Sequence, residues 1–378
     1  MKHRRLKSID IFRGLCMAWM ILGHLIDWWL KSEYSWLHKI MIMIIDPIGA
    51  SGFLFISGVS IALSYRKRLN KVKVSEDYNF RMVKNSYLFR AFFIFIIAII
   101  YNIPTAIVLK NPSMIWYWFV LLTAAVSIFL AWPLLKTSKI FRIFIAIAIL
   151  AIHFIIFSWL YPFQGESNIF GIIFHILYNG IHQDPILIFF PFFIIGTVIG
   201  DLIYETIYSN KKDQQYSSFK KQLLIPVIII GIFMIVSGVL INFPQFLRRK
   251  SLSWVIYSIG INLFLLSIFL LIEKFSRFKT QKSYKLLFYY SYYSLTIYLA
   301  HNILYVPLLY FPFLNQLDLV SIWIFAAAAF LSIGFILRAI HHKFEEKASL
   351  KVQIARLSLG VTMRIEKKLS RREELKII

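Results

Sequence analysis

Long apolar stretches alternate with short polar connections along most of the chain. Ten stretches are each about twenty residues long, the length of helix that crosses a hydrocarbon core of about 30 Å. They cover residues 9–30, 40–64, 86–108, 114–135, 140–161, 186–207, 223–242, 253–273, 286–310 and 320–341. The pattern predicts an all-α integral membrane protein with about ten transmembrane helices.

Two segments depart from this pattern. Residues 162–184 form a long connection that is too polar at its ends to cross a membrane, which is typical of a short interfacial or re-entrant helix. Residues 343–378 are rich in Lys and Arg and predict an amphipathic helix on the cytoplasmic membrane surface. The predicted organisation is therefore one transmembrane domain over residues 1–342 and a basic cytoplasmic tail over residues 343–378.

The composition agrees with a membrane location. The chain of 378 residues is 59% hydrophobic and has a mean hydropathy of +0.69, above what soluble domains show. A net charge of +24 would also suit a nucleic-acid-binding protein, but the basic residues lie in short connections between apolar stretches. Charge in that position reports membrane topology, so we predict no nucleic-acid partner.

The basic residues also predict the orientation. Most of the 42 Lys and Arg precede the first stretch or follow the even-numbered ones, and Arg13 and Arg90 lie inside spans. The opposite connections hold Lys31, Lys39, Lys110, Arg248, Arg249 and Lys250. The positive-inside rule then places both termini in the cytoplasm, as an even number of spans requires. We predict a multi-pass protein of the cell membrane.

The first stretch, "SIDIFRGLCMAWMILGHLIDWW", contains four ionisable side chains. They are Asp10, Arg13, His24 and Asp27. His24 follows Lys7 by 17 residues, roughly 25 Å of helix, and His301 follows Lys285 by 16 residues, roughly 24 Å. Because the hydrocarbon core is about 30 Å thick, both histidines are expected in its outer part.

Two carboxylates are expected at a similar depth. Asp27 is on the same helix face as His24, and Asp46 enters the second stretch seven residues past Lys39. Ionisable groups inside a membrane face a protein or water-filled interior, so these side chains form a candidate site. The competing structural interpretations are a helix cap at Asp27, an Arg13–Asp10 ion pair and a kink at Asp46–Pro47.

Small residues in two apolar segments have two interpretations. Residues 51–68 are rich in Gly and Ser, and "FFPFFIIGTVIGD" at 189–201 contains two glycines. Small side chains let helix backbones pack closely in membranes. They could equally leave the backbone open for a ligand.

Four motifs in chain order resemble the transmembrane acyltransferase superfamily. The first is "SIDIFRGL" with ten residues between Arg13 and His24, and the others are "FLFISGVSIALSYRKR", "FPFFIIGTVIGD" and "YSLTIYLAHN". "IDIFRGL" and "FLFISGVS" are more similar to the heparan-α-glucosaminide N-acetyltransferase catalytic-domain family than to the acyltransferase-3 family. The usual outer-loop His-Trp-Asn-Gly of that family is absent, although His38 has a roughly corresponding place. The acceptor, and N- versus O-acylation, therefore stay open.

The resemblance implies a reaction and its participants. An acyl group, expected to be acetyl, passes from cytoplasmic acyl-coenzyme A to an acceptor at the outer side, commonly a carbohydrate or glycolipid. The cations expected to bind the donor phosphates are Arg13, Arg66, Arg68 and Arg81. No metal ion is implied.

The implied catalytic residue is His24, either as general base or as carrier of the acyl group. Asp27 or Asp46 would fix its tautomer, and His301 would support the site. The alternative function is a proton-coupled membrane transporter, because buried Asp and His side chains also relay protons. The oligomeric state stays open.

Overall fold

The computed structural model describes residues 6–75, 78–179, 184–209, 218–275, 285–305, 311 and 317–377. Fourteen α-helices lie in these ranges. They are α1 (Lys7–Trp29), α2 (Ser35–Ile45), α3 (Ala50–Val74), α4 (Phe80–Val108), α5 (Val120–Leu134), α6 (Lys139–Leu160), α7 (Ile169–Tyr178), α8 (Ile186–Tyr204), α9 (Ile225–Ile241), α10 (Leu252–Phe275), α11 (Lys285–Tyr292), α12 (Ser294–Ala300), α13 (Leu319–Phe344) and α14 (Leu350–Ile377).

The predicted all-α membrane architecture is confirmed. Within the described ranges, seven helical segments are long and apolar enough to cross a membrane. They contain α1, α4, α6, α8, α9, α10 and α13. The cytoplasmic location of the two termini stays a prediction.

The other three predicted stretches are interrupted. Residues 40–64 break between α2 and α3 at Pro47, whose ring cannot continue a helical hydrogen-bond ladder. Residues 114–135 begin within the tight turn Pro112–Trp116 and continue into α5, which has 15 residues. Residues 286–310 contain α11 and α12, which are separated at Tyr293, and residues 306–310 lie outside the described part of the chain. Hydropathy averages across such breaks and therefore counts each stretch as one span.

The chain forms two compact units, each built from separate parts of the sequence. The first unit comprises Met1–Ile56 and Thr206–Lys351. At the start of its helix α1, the backbone N–H groups of Lys7 and Ser8 donate to the carboxylate of Glu273 on α10. The distances are 3.1 Å from Lys7 and 2.8 Å from Ser8. A carboxylate at this end satisfies two free N–H groups and complements the helix dipole.

Helix α1 packs closely inside the first unit. The Phe12 side chain is fully buried, and its ring lies 6.0 Å from that of Phe55 and 6.1 Å from that of Phe269. A Cβ atom at Gly14 would overlap the carbonyl oxygen of Leu287 on α11. Glycine is therefore required where these two helices meet.

The second unit comprises Ser57–Glu205 and Val352–Ile378. Helices α3 and α8 approach each other through glycine: a Cβ atom at Gly58 would overlap the Phe193 carbonyl oxygen, and one at Gly200 would lie 2.6 Å from that of Val59. These contacts support the packing interpretation of the small residues in both segments.

The connection at 162–184 contains the short helix α7. Its ten residues extend roughly 15 Å, too little to cross the hydrocarbon core. The indole N–H groups of Trp116 and Trp118 both donate to the Ile176 carbonyl at 2.9 Å, which ties α7 to the connection before α5. Residues 180–183 lie outside the described part of the chain. An interfacial or re-entrant position for α7 stays a prediction.

The basic C-terminal segment contains α14, and α13 continues two residues past position 342 to Phe344. The domain boundary at 342 stays a prediction. So does a position of α14 on the membrane surface.

A substitution pair tests the glycine contact in the second unit. Gly58→Ala should lower the free energy of unfolding by roughly 1–3 kcal/mol, because the added methyl group forces α3 away from α8. Gly360→Ala on α14, where no atom lies within 4 Å, should be neutral or stabilising by up to about 1 kcal/mol. Thermal unfolding in detergent measures both, and equal midpoints would contradict the contact.

Candidate active site

The first unit brings His24 and His301 together. Their ring centroids lie 5.0 Å apart with an interplanar angle of 24°. His24 is half-buried on α1, and His301 begins the tight turn His301–Leu304 directly after α12. His301 is 5% exposed. The interrupted helix α11–α12 thus places the second histidine against the C-terminal part of α1.

The tautomer of His301 follows from its hydrogen bond. Its Nδ1 lies 2.5 Å from the carbonyl oxygen of Tyr298. A carbonyl oxygen accepts only, so Nδ1 must carry the proton and donate it. A neutral His301 ring therefore keeps its lone pair on Nε2, the atom that can take a proton from a substrate.

An indole ring completes this cluster. Trp28, one turn after His24, has its ring 5.0 Å from that of His24 at 14° and 6.1 Å from that of His301 at 10°. Tyr305, which is 41% exposed, lies 5.3 Å from the indole at 54°. We call Trp28, His24 and His301 the ring cluster.

Asp27 lies beside the ring cluster and binds a third histidine. His38 Nε2 on α2 is 3.0 Å from Asp27 Oδ1, and both side chains are partly exposed. They line an open groove of about 620 Å³ at the turn between α1 and α2. Its other lining residues are Ile26, Leu30, Lys31, Ser32, Glu33 and Ser35. The sequence motif suggested a place for His38 but not this pairing.

Asp46 is held at the break between α2 and α3. Arg249 Nε lies 3.0 Å from Asp46 Oδ2. The Pro47 carbonyl accepts from Asn262 Nδ2 at 3.0 Å and from Ser51 Oγ at 2.6 Å. These bonds satisfy backbone that the broken helix leaves open, which agrees with the kink interpretation of Asp46–Pro47. The role of Asp27 or Asp46 in fixing the His24 tautomer stays a prediction.

The four arginines predicted to bind the donor fall in different parts of the chain. Arg13 is half-buried on α1 in the first unit. The other three belong to the second unit: Arg68 Nη1 donates to Ser86 Oγ at 2.8 Å, and Arg81 is exposed in the first turn of α4. Asp10, the competing partner for Arg13, accepts a hydrogen bond of 3.2 Å from Ser291 Oγ.

Arg66 is engaged by a carboxylate. It donates to both oxygens of Asp201, at 2.8 Å from Nε and 2.6 Å from Nη2. Arg142 also binds Asp201 and donates to Thr197 Oγ1 at 3.0 Å. Arg142 is fully buried in α6. The two arginines and Asp201 therefore connect α3, α6 and α8. Arg66 and Asp201 belong to the motifs "FLFISGVSIALSYRKR" and "FPFFIIGTVIGD".

Metal ligation has no candidate cluster in this part of the chain. Among the described residues, no group of three or more His, Cys, Asp or Glu side chains is placed to hold a metal ion.

Fold and site together define a multi-span α-helical membrane protein with a histidine pair enclosed between helices. Residues 5–236 match the family described as heparan-alpha-glucosaminide N-acetyltransferase, catalytic. The chain belongs to this family, which confirms the resemblance and makes the protein a membrane acetyltransferase. The match includes His24 and the four arginines predicted to bind the donor, whereas His301 lies beyond it. A comparison with curated proteins gave no match.

The buried ion pair between Arg142 and Asp201 predicts a large effect on stability. Asp201→Asn should lower the free energy of unfolding by roughly 3–5 kcal/mol, because Arg142 would keep an uncompensated buried charge. The matched control is Glu205→Gln, whose pair with Lys139 is partly exposed and should contribute less than about 1 kcal/mol. Denaturant unfolding in micelles measures both variants. Equal loss in the two would contradict the role assigned to Asp201.

Proposed function

We propose that the protein transfers an acetyl group from cytoplasmic acetyl-coenzyme A to a carbohydrate or glycolipid acceptor at the outer side of the cell membrane, with the His24–His301 pair as the reaction centre. The observation that carries this proposal is the 5.0 Å contact between the two imidazoles, which come from opposite ends of the chain. The family uses acetyl-coenzyme A as its donor.

The donor end of the site is assigned to Arg13. It precedes His24 by 11 residues on the same helix, roughly 16 Å at the helical rise. That length is on the order of the reach of the pantetheine arm. Phosphates held near Arg13 would therefore let the thioester carbonyl approach His24. The guanidinium fork suits phosphate oxygens.

The imidazole pair supplies the acid–base chemistry. The acceptor oxygen or nitrogen attacks the thioester carbonyl carbon while an imidazole nitrogen takes its proton. The carbon–sulfur bond breaks, and the leaving thiolate recovers that proton, so the histidine ends neutral. In the covalent alternative an imidazole nitrogen attacks the thioester carbonyl, the carbon–sulfur bond breaks, and the coenzyme A thiolate leaves with the proton of the ring. The acceptor then attacks the acetyl-imidazole, its proton returns to the ring, and the carbon–nitrogen bond to histidine breaks.

Proximity limits the pair to one positive charge. Two imidazolium ions 5.0 Å apart would repel by about 3 kcal/mol at an effective dielectric constant of about 20. One ring can therefore take the acceptor proton while the other stays neutral. Nε2 of His301 already has its lone pair available, because the Tyr298 carbonyl holds the proton on Nδ1.

The acceptor is assigned to the groove at the turn between α1 and α2. The groove includes Asp27, which is one helical turn from His24, roughly 4.5 Å along the axis. Its carboxylates and serine hydroxyls can accept and donate hydrogen bonds to a polyhydroxylated ring. The Asp27–His38 pair also offers a second candidate base, because a carboxylate 3.0 Å from the ring can orient it.

The first test is acetyl transfer by purified protein in lipid nanodiscs. Radiolabelled acetyl-coenzyme A is supplied with a panel of amino-bearing and hydroxyl-bearing glycans. His24→Ala should lower turnover by about 10²–10⁴-fold if His24 is a general base, and almost completely if it carries the acetyl group. His342→Ala, a histidine at the far end of α13, should retain turnover.

The double variant sharpens this test. Because the pair acts as a unit, His24→Ala/His301→Ala should lose little more turnover than the worse single variant. Fully multiplicative losses would argue against a shared reaction centre. Wild-type turnover in folded His24→Ala would reduce His24 to a structural residue, and a loss confined to His38→Ala would move the reaction to the groove.

A second prediction concerns the donor end. Arg13→Lys should raise the KM for acetyl-coenzyme A, because a point charge replaces a bidentate fork. Arg338→Lys on α13 is the matched control and should leave this KM unchanged. Steady-state kinetics at saturating acceptor measures both. An unaltered donor KM in folded Arg13→Lys would leave Arg13 a structural role.

A further inference from the structure

Trp28 shares one face of α1 with His24, because residues four apart lie one above the other on a helix. Its indole is nearly parallel to both imidazoles, at 14° to His24 and 10° to His301. The two imidazoles are inclined by 24° to each other. All three centroid separations lie between 5.0 and 6.1 Å. The rings therefore form a triangle of similarly oriented planes.

The neighbouring tryptophan has a different environment. Trp29 is 3% exposed, and its ring packs 4.6 Å from that of Phe325 on α13. Trp29 thus belongs to the apolar core of the first unit, whereas Trp28 is half-buried beside two ionisable rings and the exposed Tyr305. The two adjacent tryptophans therefore differ in their surroundings, and core packing does not account for Trp28.

Two physical effects follow from an indole in this position. The terminal torsion of an imidazole is broad and roughly two-fold, so a flat neighbour narrows the range of orientations open to the ring. The indole face also attracts positive charge, which develops on an imidazole as it takes a proton. A large apolar plate beside the pair further keeps water from the rings.

We propose that Trp28 is a positioning residue: its indole holds the His24 and His301 rings in their paired orientation and shields them from water. This inference rests on the proposed role of the pair in acetyl transfer. Trp28 contributes by fixing the two imidazoles and makes no bond to the donor or acceptor.

Kinetics provide one arm of the test. Trp28→Leu should lower kcat by up to about 10²-fold, the cost of misplacing a reacting group by about 1 Å. The KM for acetyl-coenzyme A should stay within about twofold, because the donor phosphates are bound elsewhere. Trp28→Phe, which keeps a flat ring, should recover most of kcat. Trp36→Leu, at a tryptophan that is 50% exposed on α2, is the control and should match wild type.

Histidine labelling provides an arm that is independent of activity. Diethyl pyrocarbonate modifies accessible neutral imidazoles, and peptide mass spectrometry reports the rate at His24 and His301 separately. Both rates should rise in Trp28→Leu, rise less in Trp28→Phe and stay at the wild-type value in Trp36→Leu. If Trp28→Leu does not fold, the Trp28→Phe comparison carries the test.

The outcomes separate the two proposals. Unchanged labelling in Trp28→Leu or Trp28→Phe would overturn the inference, as would a Phe variant whose kcat is as low as that of the Leu variant. Raised labelling in a protein whose wild type transfers no acetyl group would support the placement of Trp28 while contradicting the proposed function.

Discussion

The cost of taking charge out of water determines where the ionisable side chains of this chain can lie. A charged group inside an apolar helical region needs a partner, because an isolated ion there is expensive to bury. Asp201 is bound by Arg66 and Arg142, and Asp46 by Arg249. Glu273 receives the first N–H groups of α1. Each of these charges is engaged in holding the fold.

Histidine is the exception to this constraint. A neutral imidazole can be buried without a counter-ion, whereas a carboxylate or an ammonium group in the same surroundings needs a partner. Two helical stretches are interrupted, one at Pro47 and one at Tyr293. The interruption after α11 leads into the short α12 and the turn that carries His301.

Periodicity and composition were sufficient for the class of fold. Every one of the seven long spans corresponds to a predicted stretch, because a run of about twenty apolar residues has few other stable conformations. Hydropathy could not show that the other three stretches are interrupted, because it averages over the residues on both sides of a break. The sequence placed His24 and His301 at a similar depth in the membrane, and the two side chains do meet. The contacts of Asp27 with His38 and of Asp46 with Arg249 depend also on how each helix is rotated about its axis, which depth alone does not give.

Two neighbours of the predicted site residues were not found from the sequence. The contact of Trp28 with His24 could have been inferred from their spacing of four residues. A tryptophan near the end of a membrane span is, however, normally explained by the enrichment of this residue at the membrane–water interface. Arg142 lies near the start of the predicted stretch 140–161, three residues past Lys139. The partner that buries it, Asp201, is 59 positions away, and no local pattern identifies such a contact.

The most direct test of the ring cluster uses a donor that marks its own site. A bromoacetyl analogue of coenzyme A places an alkylating carbon where the acetyl group of the natural donor lies. Incubation with protein in nanodiscs, followed by peptide mass spectrometry, identifies the nitrogen that displaces bromide. The account predicts an adduct on His24 or His301 that excess acetyl-coenzyme A prevents. Competable modification at His38, or at a residue outside the first unit, with His24 and His301 unmodified would contradict it.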